Sequence, residues 1–218
     1  MDIAQILSIP KTIYFNLAHL PLKQAIKFPV CVYYRTKIKM KGKLILPNNV
    51  SPFMIRIGFH TCEECNTNDK TLLSVGLGGV IRLEGSAHIG RGSKIIVSEG
   101  AEIKFGDNFA ISASSTIVSY KKISFGKDIQ FSWDCLVMDS DTHTIYDING
   151  NVSNQPKEIS IGDKVWICNG CMILKGTIIP SNTVIGAHSV VSGNKYKENS
   201  IIAGNTAKSV KLISGWDL

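Results

Sequence analysis

The stretch IGDKVWICNGCMILKGTIIPSNTVIGAHSVV, Ile161 to Val191, decides the fold. An aliphatic residue stands at every sixth position: Ile161, Ile167, Ile173, Ile179, Ile185 and Val191. Four places after each of the first five comes a small or short residue: Val165, Cys171, Thr177, Thr183 and Ser189. A period of six is neither the 3.6 of a helix nor the alternation of a ladder strand. It describes a chain that runs a short extended segment, turns a corner and runs another. Three such segments close a triangular coil, with the aliphatic side chain filling the inside and the small one fitting the corner. Each coil covers the apolar end of the one before, so stability accumulates by stacking. Gly162, Gly176 and Gly186 suit corners, where positive φ or close backbone approach is needed. The pattern predicts an all-β protein, a β-helix.

Working outward, Val80 to Asp139 carries the same period with slips. Ile89 and Ile95 share one register, Phe105, Ile111 and Ile117 a second, and Phe125, Phe131 and Val137 a third. The slips imply extra residues at corners, the solenoid counterpart of bulges. Continued past Val137, the register lands on His143, Asn149 and Gln155, which cannot fill an apolar interior. The chain therefore leaves the solenoid near Ser140 and returns near Ile159. The extruded segment is polar and turn-rich, with Asn149-Gly150 a strong turn signal. A long loop on a rigid scaffold is where chemistry concentrates, and His143 stands at its base.

At the other end, residues 1–30 show apolar residues at roughly helical spacing (Ile3, Ile6, Leu7, Ile13, Leu17, Leu20), which Pro10, Pro21 and Pro29 are expected to cut into short pieces. A solenoid needs its open end covered, so this segment reads as a cap; a basic, apolar N-terminus also suits contact with a membrane surface. Cys31 to Leu46 alternates apolar and charged residues and reads as a half-buried strand. The segments expected are thus 1–46 as cap and first strand, 47–196 as the β-helix with its loop at 140–160, and 197–218 as a closing strand and short helix.

The 218 residues form one folded unit with a net charge of +7. No nucleic-acid-binding signature accompanies that charge, so a phosphorylated ligand is expected and nucleic acid is not. Of the six cysteines, Cys135, Cys168 and Cys171 read as small buried residues, not as a disulfide framework. Cys62, Cys65 and His60 make a ligand-like cluster without a fourth member, so no metal is expected. With no signal peptide and no membrane-length apolar run, a cytoplasmic location is expected, including the inner face of the membrane.

The run from Ile161 to Val191, the preceding SWDCLVMDSDTH and the closing IIAGNTAK together resemble the hexapeptide-repeat acyltransferases, in particular bacterial polysaccharide O-acetyltransferases and the galactoside and maltose acetyltransferases. The resemblance covers roughly residues 75 to 212. It implies a left-handed parallel β-helix, a homotrimer with active sites between subunits, and acetyl-CoA as donor. His143 in DSDTH matches the family's general base, and an imidazole suits removal of a hydroxyl proton near neutral pH. Asp139, Asp141 or Asp147 is available to hold its other ring nitrogen, and the sequence does not choose among them. With no nucleophile paired by a motif, direct transfer without an acyl-enzyme is expected.

Trp166 matches a tryptophan lining the acceptor pocket. Ser112 stands where the family has an acceptor-binding asparagine, a departure that removes an amide. Asn169, Ala187 and Ser192 match the pantetheine groove, and Lys208 and Lys211 the positions that meet nucleotide phosphates. Thr206 replaces the usual proline of the terminal turn. The acceptor implied is a sugar hydroxyl of a cell-surface polysaccharide or its precursor. The alternatives are a small acceptor (an amino acid, free sugar or antibiotic), a non-catalytic scaffold, and a metalloenzyme on the same fold, for which the five histidines show no clustering.

Overall fold

The computed structural model describes residues 3–59, 62, 65 and 69–217. Strands of two to six residues turn repeatedly through three faces, and each pairs in parallel with the strand one coil away. Among the described residues the faces hold nine, seven and six strands; the last pair of the nine-stranded face is antiparallel. The first coil comprises β1 (Val30–Val32), β2 (Lys37–Met40) and β3 (Lys43–Ile45), one at the edge of each face. Cys31 to Leu46, expected as one alternating strand, is therefore parts of three. The in-out alternation survives because each corner is short. Gly42 makes one of them: a Cβ there would lie 2.2 Å from the Gly79 carbonyl oxygen, so no side chain fits.

All six aliphatic residues from Ile161 to Val191 are at most 3% exposed, and the five small corner residues are equally enclosed. The residues of the three slipped registers are buried as well, and the slips are filled by corner residues such as Tyr120 and Lys121. Where aliphatics give way to phenylalanine the interior holds a cluster of Phe105, Phe109, Phe125 and Phe131, with contacting ring centroids 4.5–5.8 Å apart. The corner entering the nine-stranded face repeats a left-handed residue at Asn108, Asp128, Lys164, Asn182 and Asn199 (φ 51–55°). Asparagine and aspartate tolerate that conformation, and they bond from coil to coil, Asn108 Nδ2 to Asp128 Oδ1 at 2.7 Å and Asn182 Nδ2 to Asn199 Oδ1 at 2.7 Å.

The cap departs from expectation in two ways. One helix, α1 (Ile3–His19), runs unbroken through Pro10. It is pinned on both sides of the proline, because Ser8, Thr12 and Asn16, one turn apart on one face, bond the free edge of β1 and the turn that follows it. Tyr34 N donates to Ser8 Oγ (3.0 Å), Val32 N to Thr12 Oγ1 (3.0 Å) and Val30 N to Asn16 Oδ1 (3.2 Å), while Asn16 Nδ2 donates to Val30 O (2.6 Å). Lys11 Nζ donates to the carbonyls of Tyr34 and Thr36. The helix thus replaces a neighbouring strand in satisfying an edge that would otherwise invite pairing. The second departure follows: the polar stripe faces inward, and of the apolar residues in the helical pattern Leu20 is buried while Ile3, Ile6, Leu7, Ile13 and Leu17 point outward.

The closing segment is corrected too. Ser200–Gly204 and Ala207–Leu212 form an antiparallel hairpin, and no helix follows Val191 among the described residues. β-Branched Ile201, Ile202 and Val210 around a Gly-Asn turn favour strands. Cys62 and Cys65, read as free ligand-like thiols, are joined to each other. His60, the third member of that cluster, lies outside the described residues.

Candidate active site

The solenoid is interrupted between the strands Leu136–Met138 and Ile159–Ile161 by the extruded loop. Its exit is fixed by Asp139, which is fully buried: its carboxylate accepts from Ser119 Oγ (2.9 Å), Tyr120 N (2.6 Å) and Lys121 N (2.9 Å). Asp139 therefore holds a corner and is not the partner of His143. Asp147 is likewise spent within the loop, accepting from the amides of Asn149 and Asn151.

Asp141 works at the loop's base. Its carboxylate accepts from Lys175 Nζ, on the next coil, and from Asn154 Nδ2 (3.0 Å). The Lys175 ammonium, then the Asn154 amide, hold this carboxyl below the ordinary aspartate range. Asn154 Nδ2 also donates to His143 O (2.7 Å), its Oδ1 accepts from Ile145 N (2.7 Å), and His143 N donates to Asp141 O (2.7 Å). His143 is held by its backbone, with its ring in the exposed part of the loop. Asp141 orients the loop segment that carries His143 and does not reach the ring. Lys175 and Asn154 escaped the reading of the sequence; nothing local marks them.

Trp166 and Ser112 fall on the outer surface of the nine-stranded face. Trp166 Nε1 donates to Ser132 Oγ (3.4 Å), and Ser132 stands beside Ser112 in the ladder, between the pairs Ile111–Phe131 and Ala113–Trp133. Ser112 Oγ donates to Phe131 O (3.1 Å). Trp166 is 37% exposed and leans against Trp216 (centroids 6.1 Å), whose Nε1 donates to Lys164 O (3.0 Å). The tail thus shapes this patch, a contribution the sequence did not signal. His143 leaves from the end of the seven-stranded face, so one chain keeps the patch and the histidine on different faces.

The donor residues divide into two groups. Asn169 and Ala187 occupy equivalent places on successive coils at the corner between the nine- and seven-stranded faces, with His188 N donating to Asn169 O (3.0 Å). Ser192 and Lys208 line a cavity of about 310 Å³ with Tyr196 and Ser209. Tyr196 Oη bridges Ser192, accepting from its amide (3.0 Å) and donating to its carbonyl (2.7 Å). Lys208 and Lys211, three apart, would point to opposite sides of a regular strand. The register shift between Ile201 and Ile202 corrects this: Lys208 pairs with Ala203 and Lys211 with Ile201, so both lysines share a face. Both are exposed.

Neither Cys168 nor Cys135 offers a ready nucleophile. Burial pushes the Cys168 thiol up to about 11, and Cys135 is enclosed, with its thiol on the Cys168 carbonyl at 3.1 Å. Among the described residues no group of three or more His, Cys, Asp or Glu side chains is placed to hold a metal.

No protein-family model matches the chain. Among curated proteins it is similar to a probable acetyltransferase of Mycobacterium tuberculosis, 32% identical over 127 residues that make up 57% of this chain and 41% of that one. It is also similar to a putative lipopolysaccharide biosynthesis O-acetyl transferase of Escherichia coli, 29% identical over 146 residues, 60% of this chain and 74% of the other. The chain thus spans under half the length of the first relative and about three-quarters of the second. Among solved structures it is similar to a polysialic-acid-specific acetyltransferase, with a TM-score of 0.68 and 23% identity over 87% of this chain and 82% of that one. That likeness shows the fold, a left-handed β-helix. By repeat, fold and relatives, the chain is similar to the hexapeptide-repeat acyltransferases.

Proposed function

We propose that the protein transfers an acetyl group from acetyl-CoA to a sugar hydroxyl of a cell-surface polysaccharide or its precursor, with His143 as general base. The observation that carries this reading is the clamped loop: Asp141, Asn154 and Lys175 fix the backbone around His143 and leave the imidazole exposed on a rigid scaffold. In the reaction the imidazole takes the acceptor hydroxyl's proton as the oxygen attacks the thioester carbonyl. The tetrahedral intermediate then expels the CoA thiolate, which is protonated, so one ester forms as one thioester breaks. The proton on the ring returns to the leaving sulfur or to solvent.

Lys208, which lines the Ser192 cavity, and Lys211, on the same face of the strand, are the cations that would meet the nucleotide phosphates, and Asn169 and Ala187 the corner along which the pantetheine would run. Trp166 and Ser112 supply a flat apolar surface with hydroxyls, suited to a sugar. Their separation from His143 within one chain supports a trimer in which one subunit's loop meets a neighbour's face. Acceptor-dependent release of CoA thiol, with polysaccharide precursors compared against amino acids and free sugars, tests the assignment. Release without any acceptor dependence would contradict it, as would a fully active monomer in sedimentation.

A further inference from the structure

We infer that the N-terminal end of the solenoid is a docking face for the surface of an anionic lipid bilayer. This stands apart from the transfer reaction. The polar stripe of α1 bonds the edge of β1 that faces away from the coils, so the opposite stripe of the helix points outward along the solenoid axis. That stripe is Ile3, Ile6, Leu7, Ile13, Tyr14 and Leu17, each between 41 and 77% exposed. Leu22 and Ile26, at 70 and 60%, extend it. An apolar cavity of about 500 Å³ opens at its side, lined by Ile9, Ile13, Phe28, Phe53 and Phe59 with Arg56 among them.

The charge is arranged around the same end. Eight of the 24 basic residues and one of the 17 acidic residues fall within the first 50 positions, so the whole net charge of +7 lies there and the rest of the chain is neutral. Lys23, Lys27, Arg35, Lys37, Lys39, Lys41 and Lys43 are all exposed, in or next to the first coil. An apolar ridge among lysines is the combination that seats a helix in the headgroup region of an anionic membrane. A second copy fits less well. Solenoids packed side by side cover their lateral faces and not this end, and two such ends brought together would set like charges against each other. A nucleic acid would meet the lysines and leave the isoleucines in water.

Co-sedimentation of the full chain with vesicles tests the assignment and reads no acetyl transfer, so its failure would leave the proposed reaction standing. The protein is expected to bind vesicles containing one part in three (roughly, to give a cell-like surface charge) of phosphatidylglycerol, to ignore pure phosphatidylcholine, and to be released by salt. The pair Ile6→Gln and Leu17→Gln keeps exposed, helix-compatible side chains and should lower the vesicle-bound fraction about tenfold or more. Lys23→Gln with Lys27→Gln should also lower it about tenfold. A wild type that stays in the supernatant with anionic vesicles overturns the proposal, as does a glutamine variant that binds as well as wild type. A glutamine variant that instead breaks up a larger assembly, with no vesicle binding by either protein, overturns it in favour of a second copy.

Discussion

Asn154 carries the most instructive perturbation. Its side chain makes three hydrogen bonds, to the Asp141 carboxylate at 3.0 Å, to the His143 carbonyl at 2.7 Å and from the Ile145 amide at 2.7 Å. All three are exposed, so each is worth roughly 0.5–1 kcal/mol, the lower part of the usual range for a net hydrogen bond. Asn154→Ala therefore costs about 1.5–3 kcal/mol of loop order, and every 1.4 kcal/mol is tenfold in a conformational equilibrium. If the ordered loop presents the base, kcat/KM should fall by roughly ten- to a hundredfold, while acetyl-CoA affinity, which the proposal assigns to the Ser192 and Lys208 cavity, should hold. Lys175→Met removes one ion pair and one carbonyl contact. Discounted for exposure, it should cost about fivefold or less. Steady-state kinetics beside acetyl-CoA binding by calorimetry gives both quantities. Wild-type kcat/KM in Asn154→Ala would refute the idea that these bonds prepare the site, and so would Lys175→Met as the more damaging change.

The remaining predictions concern the cap, the donor site and pH. Asn16→Leu leaves the buried amide and carbonyl of Val30 without partners, at about 1–3 kcal/mol each; urea unfolding should show a loss of about 2–6 kcal/mol, mostly in the release of α1, and an unchanged midpoint would disprove the edge-capping role. Lys208→Ala and Lys211→Ala should each weaken acetyl-CoA binding by about 1 kcal/mol or more, and because the bulge sets them on one face, both should matter. Equal affinity of both variants and wild type would remove them from the site. The carboxyl of Asp141 is held below its ordinary value, chiefly by Lys175, so its contribution to loop anchoring is complete above the ordinary aspartate pKa and is lost as pH falls through the lowered one. Limited proteolysis of the loop should therefore rise at acid pH, and in Lys175→Met that rise should begin at higher pH.

Much of this architecture is legible in the chain because the interior of a β-helix is a one-dimensional repeat. Each residue from Ile161 to Val191 that breaks or keeps the period of six declares its side of the wall. The loop is visible for the same reason, since His143, Asn149 and Gln155 cannot be inside. What stays hidden depends on contacts distant in sequence. The clamp joins Asp141 to Lys175 across 34 positions, and no local pattern pairs them. The bulge that brings Lys208 and Lys211 together is a property of pairing with Ile201 and Ile202, not of either strand alone. The N-terminal helix misleads differently: periodicity finds the apolar stripe of Ile3, Ile6 and Leu7, but it does not say that serine, threonine and asparagine on the other side have a strand edge to satisfy. Proline at position 10 does not stop the helix, which is bonded on either side of it, through Ser8 to Tyr34 and through Thr12 and Asn16 to β1.

The most direct test of the central claim is the turnover of His143→Ala on an acceptor that the wild type acetylates. Acetyl-CoA affinity should survive, because the proposed donor site does not include this side chain, while kcat should fall by roughly 10²–10⁴, the usual contribution of a positioned proton acceptor. An alanine variant that turns over at the wild-type rate would mean that another residue removes the proton.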